Sequence, residues 1–181
     1  MLRLVAAMML FTVVCCPGQE LNNSRKVQLR LHPKSIVRGM PQAFEFEIVN
    51  TQNGDIRIPT PAIFCFSARQ GYIAFYRQFT PRSVVYGPSS GYGCGSGVYD
   101  GPTVLERAKT WKILQRGQSL RIVARRDALF YEDKEPGTYE FWATYFPPIL
   151  SISEQKLLRD AGITTAEGET ASAHVTFVKS R

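Results

Sequence analysis

Histidine is scarce in this chain: there are two in 181 residues, His32 and His174, far apart in sequence. A zinc site needs several histidine or cysteine ligands at short spacing, and a cysteine or serine nucleophile needs a histidine within hydrogen-bond reach. Neither histidine sits in such a motif, since His32 precedes a proline and His174 alternates outward on a strand-like segment. Cysteine is equally sparse, with Cys15, Cys16, Cys65 and Cys94 and no Cys-x-x-Cys pair. The one dense acidic stretch, Glu132-Asp133-Lys134-Glu135, reads as a solvated hairpin rather than a calcium loop. No apolar run reaches the roughly 20 residues a membrane-spanning helix needs, and no internal repeat or second-domain boundary is visible. No catalytic residue, metal ligand or cofactor motif is therefore assigned. Paired carboxylates for glycoside hydrolysis are not excluded by spacing, because any two glutamates can meet in a folded chain. Glu45, Glu47 and Glu140 alternate outward on strand-like segments, however, and are expected to pair with Lys26, Arg30, Arg121 or Arg125 on a sheet surface.

The N-terminus reads as an address. Met1-Leu2-Arg3 is a short basic start, Leu4 to Val14 is an apolar run of eleven residues, and small residues follow up to Gly18. Residues 1–18 are expected to be a cleaved secretory signal peptide. A lipid anchor on Cys15 or Cys16 is not expected, because the residues before them, Thr12-Val13-Val14, are not the small ones that a lipoprotein signal uses. Residues 19–181 then form a single secreted or periplasmic domain with no transmembrane helix. Loss of Arg3 takes the formal charge from +7 to +6. For an exported basic chain the default partner is not nucleic acid but an anionic glycan or a protein of the envelope.

The mature chain alternates. Val27, Leu29 and Leu31 oppose Lys26, Gln28 and Arg30, and His32-Pro33 is expected to end this strand. Val37 to Pro41 reads as a turn; Phe44, Phe46 and Ile48 then oppose Glu45 and Glu47 up to Asn50, and Asn53-Gly54 supplies a second turn. The stretch from Ile56 to Phe66, broken by Pro59 and Pro61, reads as an edge strand or two short pieces. Tyr72 to Phe79 and Ser83 to Tyr86 read as strands, as does Leu120 to Arg125 after the Arg116-Gly117 turn. Ser151-Ile152-Ser153-Glu154 is a capping box, so a short helix should run to about Asp160 and close at Gly162. Ala173, Val175 and Phe177 mark a last strand.

Between these elements lies Gly87 to Pro102, a glycine-rich loop longer than ordinary connections. Cys65 and Cys94 remain after export, and an even number in an oxidising compartment predicts a disulfide. Closing that loop would stabilise the fold by about 3.6 kcal/mol in the chain-entropy model. It would anchor the glycine-rich loop. Tyr92 and Tyr99 inside the loop, with Arg77 and Arg82 nearby, are the expected ligand contacts, because tyrosine offers contact area with few rotors and arginine offers charge-assisted bonds.

One segment fixes the fold class. In Glu135-Pro136-Gly137-Thr138-Tyr139-Glu140-Phe141-Trp142-Ala143-Thr144-Tyr145, a turn feeds a strand with strict alternation. The pattern resembles the tyrosine corner of immunoglobulin-like sandwiches, with Phe141 where an antibody domain carries its second cysteine. Together with Phe44 to Asn50 and Leu114 to Leu120, it is similar to exported bacterial immunoglobulin-like domains and, more loosely, to the intracellular proteinase-inhibitor type of sandwich. The resemblance implies an all-β sandwich of about seven to nine strands with one short helix before the last strand, and a binding or structural role. Rival readings are a secreted hydrolase on cell-wall or polymer substrate and a proteinase inhibitor. Converging carboxylates would mark the first, a rigid convex loop the second, and a flat aromatic or basic surface the binding role.

Overall fold

The computed structural model describes residues 27–63, 67–80, 84–86, 101–125 and 135–180. The signal segment, Cys15, Cys16, Cys65, Cys94, Arg82, Tyr92, Tyr99 and Glu132-Asp133 lie outside the described residues. Among the described residues the order is β1 (Val27–Val37), β2 (Met40–Asn50), β3 (Ile56–Ile58), β4 (Tyr72–Thr80), β5 (Val84–Tyr86), α1 (Val104–Ala108), β6 (Lys112–Leu114), β7 (Ser119–Arg125), β8 (Gly137–Phe146), α2 (Ile152–Asp160), β9 (Thr170–Ala171) and β10 (Val175–Lys179). The described part of the chain is thus predominantly β, with ten strands and two helices among the described residues where seven to nine strands and one helix were expected. The strands not read from the sequence are short, three residues in β6 and two in β9. The unexpected helix, α1, starts at a capping box of its own, Thr103 with Glu106.

Two main sheets form, one in the order β1-β2-β7 and the other in the order β10-β8-β4-β5 with β9 beside β8; β3 and β6 make a small third sheet. Every strand pair in them is antiparallel. The arrangement is compatible with a β-sandwich. Alternation places Phe44, Phe46 and Ile48 of β2 on the same side as Val27, Leu29 and Leu31 of β1, and they share one core with Ile73, Phe75, Phe79, Tyr139, Phe141, Ala143 and Tyr145 of the second sheet. The sheets meet through aromatic rings. Phe44 lies 4.9 Å from Phe75 and 5.2 Å from Phe141, and Phe46 lies 5.9 Å from Phe75. Offset and tilted pairs at such distances contribute roughly 0.5–1.5 kcal/mol each beyond the area they bury.

The first hairpin departs from the sequence expectation. His32-Pro33 does not end β1, which runs on to Val37 and pairs with β2 through Val37 and Met40. β1 is an edge strand. A residue whose backbone nitrogen faces the open edge loses no ladder bond by being proline. The turn is the two-residue Arg38-Gly39, both at positive φ (48° and 76°), the combination that matches the twist of a tight hairpin. Gly39 is further constrained, since a Cβ there would stand 2.5 Å from the Val178 carbonyl oxygen on β10.

Asn50 ends β2 as expected and does more. It is fully buried. Its side-chain amide donates to the carbonyls of Gly54 and Leu114, both at 2.8 Å, and its Oδ1 accepts from the Gln52 N–H at 2.9 Å. One residue thus shapes the 52–54 turn and fastens it to β6. The Ser151 capping box is present and α2 spans Ile152–Asp160, followed by Gly162 at φ 69°. Glu154 also pairs with Arg107 of α1, so the two helices are joined above a small core of Val104, Ala108, Trp111 and Leu158.

The corner at the start of β8 has the bond its sequence suggested. The Tyr139 hydroxyl donates to the Glu135 carbonyl at 2.8 Å, and the ring stacks 4.7 Å from Phe79. Phenylalanine at this position keeps the ring and loses the bond. Tyr139→Phe should lower stability by about 1 kcal/mol in a denaturant titration; an unchanged midpoint would show that the hydroxyl contributes nothing.

Candidate functional site

β2 is flanked on both sides, so its outward face is crowded by its neighbours. The register sets Arg30 of β1, Glu47 of β2 and Arg121 of β7 in one row across the sheet. His32, Glu45 and Val123 form the next row, and Lys34, Ala43 and Arg125 the one after. Glu47 was expected at a solvated sheet surface and is instead 4% exposed. The long stems of the flanking arginines cover it while their charged heads remain in water, Arg121 at 62% and Arg30 at 49% side-chain exposure. The pairing itself was anticipated for Arg30 and Arg121. His32 was not, because the strand had been expected to stop there.

Both Glu47 oxygens are occupied. Oε1 accepts from the Ser119 hydroxyl at 2.9 Å and from Arg121 Nε at 2.9 Å and Nη2 at 2.8 Å. Oε2 lies 3.1 Å from His32 Nε2 and 3.6 Å from Arg30 Nη1. Burial pushes this carboxyl up, but hydrogen bonds from His32, Arg121 and Ser119 and the Arg121 charge outweigh it and hold the pKa at about 2. A carboxylate held so low has no proton to give at neutral pH. Ser119 and His32 sit on opposite oxygens of the same carboxylate, so the serine proton is directed to Glu47 and not to the histidine. What the arrangement does is fix cations in place. Lys34 adds a contact to Glu45 at 3.4 Å. The face thus presents Arg30, Lys34, Arg121 and Arg125 above two largely sunken carboxylates, Glu45 and Glu47.

The outward face of the other sheet is aromatic. Tyr72 pairs with Phe146 and Tyr76 with Trp142 across β4 and β8. The first pair stacks at 4.6 Å and 10°, the second at 5.5 Å and 10°. His174 continues the second stack, 4.6 Å and 8° from Trp142, and its Nδ1 lies 2.9 Å from Glu140. The signal for this row is in the sequence: Tyr72 and Tyr76, and Trp142 and Phe146, are each four apart on one strand and therefore share a face.

Of the residues expected to contact a ligand, Arg77 is half-buried in β4, with its guanidinium carbon 5.9 Å from the centre of the Tyr139 ring. Arg82, Tyr92 and Tyr99, and the cysteines Cys65 and Cys94, lie outside the described residues. Among the described residues no three histidine, cysteine, aspartate or glutamate side chains gather as a metal site, and no helix is long and apolar enough to cross a membrane. No model of a known protein family matches the chain, and no curated protein matches it either.

The Glu47 network makes a signed prediction. Its folded-state pKa is depressed from 4.5 to about 2, so its contribution is complete above 4.5 and is lost as pH falls through 2. Glu47→Gln should destabilise the protein at neutral pH by roughly 1.5–3 kcal/mol, the range for hydrogen bonds to a charged group. The gap between variant and wild type should close in melts taken from pH 4.5 down to 2; a gap independent of pH would show that charge plays no part.

Proposed function

We propose that this chain is an exported, non-catalytic immunoglobulin-like domain that binds an anionic polymer, most simply an anionic glycan of the envelope or extracellular space, on the face of its β1-β2-β7 sheet. The finer fold assignment rests on strand order. Taking β1, β2 and β7 as strands A, B and E, and β10, β8, β4 and β5 as G, F, C and C′, the strand order supports an immunoglobulin-like reading. The Tyr139 bond then falls at the start of strand F, and the Phe44–Phe141 contact stands where antibody domains place the bridge between strands B and F. Export follows from residues 1–18, and a Cys65–Cys94 disulfide belongs to the same proposal.

The observation that carries the binding reading is the Arg30–Glu47–Arg121 row. Guanidinium groups held in place, Arg121 at the buried carboxylate and Arg30 between it and the Gln28 side chain, lose little freedom when an anion arrives. A hydrolase would need a carboxyl kept protonated, and the environment of Glu47 acts in the opposite sense. The loop from Gly87 to Pro102, with Tyr92, Tyr99 and Arg82, is retained as a second contact, to which Arg77 would add charge nearby.

The test is titration with a sulfated polysaccharide at low and moderate salt. Binding should weaken as salt rises, and Lys34→Gln with Arg125→Gln, which leave Glu47 and its partners intact, should weaken it on the order of tenfold. Binding that ignores both salt and the double variant would place the ligand elsewhere, and no binding would remove the proposal.

A further inference from the structure

The chain carries a net charge of +7, yet the outward face of β10, β8 and β4 has the opposite character. Thr138, Glu140, Trp142, Thr144 and Phe146 of β8 face outward beside Tyr72, Ala74, Tyr76, Gln78 and Thr80 of β4. None of these is basic, and neither Glu140 nor Glu169 has a lysine or arginine partner among the described residues. Glu169 precedes β9, which lies along the other side of β8.

The face has relief. The Tyr72–Phe146 stack and the Tyr76–Trp142–His174 stack are four residues apart along their strands, about 13 Å at the usual rise. Between them lie Thr144 and, beside it on β9, Ala171, while Ala74 opposite Thr144 is buried. Two aromatic walls therefore border a shallow trough with a floor of small side chains. One carboxylate stands beside the Tyr72–Phe146 wall and another beyond the Trp142 wall. Glu140 is held at His174, and the charge of Glu169 is felt at both phenols, whose ionisation is already opposed by burial. The ring faces are turned to one another within each stack, so the trough meets ring edges and polar tips.

We propose that this trough is a docking site for a basic polypeptide segment, with the aliphatic stem of a lysine or arginine lying between the ring walls over Thr144 and Ala171 and its charged head reaching Glu169, while a neighbouring basic residue of the segment meets Glu140 beyond the Trp142 wall. Long basic side chains are the ligands that need both an apolar channel for the stem and an unneutralised carboxylate for the head. Charge complementarity selects this occupant over an anionic one, which the same carboxylates repel. The inference concerns a different surface and a ligand of opposite charge from the anionic-polymer reading, so either can fail alone.

The experiment is isothermal titration of the full chain with decalysine at low salt, after sedimentation has fixed its oligomeric state. Decalysine should bind, and Glu140→Gln with Glu169→Gln should weaken it about tenfold while leaving the melting temperature unchanged. Thr144→Arg, which puts a cation of the protein's own into the trough, should abolish it. Absence of decalysine binding, equal affinity in the double variant, or uptake of a neutral chito-oligosaccharide in place of decalysine would each overturn the proposal. So would self-association that the double variant abolishes without any decalysine uptake, which would make a second copy of the chain the occupant.

Discussion

β2 is buried on both faces, and this constraint organises the rest of the molecule. Its inward residues, Phe44, Phe46 and Ile48, supply the rings and aliphatic groups that meet the second sheet. Its outward residues, Glu45 and Glu47, lie beneath charged side chains of β1 and β7. Because side chains alternate with a period of two, a slip of one residue would send Glu47 into the core and Phe46 into the polar network. The hydrophobic pattern that builds the core between the two sheets therefore also sets the positions of Arg30, Lys34, Arg121 and Arg125 on the outer face. A buried carboxylate without partners would be strongly destabilising; with two arginines, a histidine and a serine it is fully satisfied.

Other polar side chains fasten the connections. Asn50 spends both amide hydrogens on backbone carbonyls, one close in sequence and one on β6. Tyr139 closes the corner before β8. Glu154 caps its own helix and reaches Arg107 of the other. In each case the group is held at an element end, where backbone donors or acceptors would otherwise go unpaired. The interior between the sheets can then consist mostly of rings and aliphatic side chains.

Much of this was legible in the sequence, wherever the deciding signal is local. The alternation of β2, β7 and β8, the Ser151–Glu154 box and the Tyr139 corner all follow from residues within a few positions of one another. The second helix was equally local, in Thr103 and Glu106, and was overlooked between strand-like neighbours. The length of β1 was not legible, because whether Pro33 breaks a strand depends on that strand lying at a sheet edge, which is a property of the topology. Burial of Glu47 was hidden for a related reason. Outward alternation reads as exposure until it is known that two strands flank the residue and that both bring an arginine to it. The aromatic row needed the β4–β8 register, although the four-residue spacings on each strand already placed its members on one face.

The two sheet faces thus differ in sign, and on the basic one the position of Arg121 depends on the ionisation of a single group. If Glu47 were protonated, the guanidinium of Arg121 would lose the charge that holds it, while Arg30 would keep its two bonds to the Gln28 side chain. The most direct measurement is the carboxyl carbon shift of Glu47 followed by NMR through an acid titration. A midpoint near 2 is the result predicted. A midpoint at or above the ordinary 4.5 would contradict the account, because burial would then have outweighed the bonds from His32, Arg121 and Ser119.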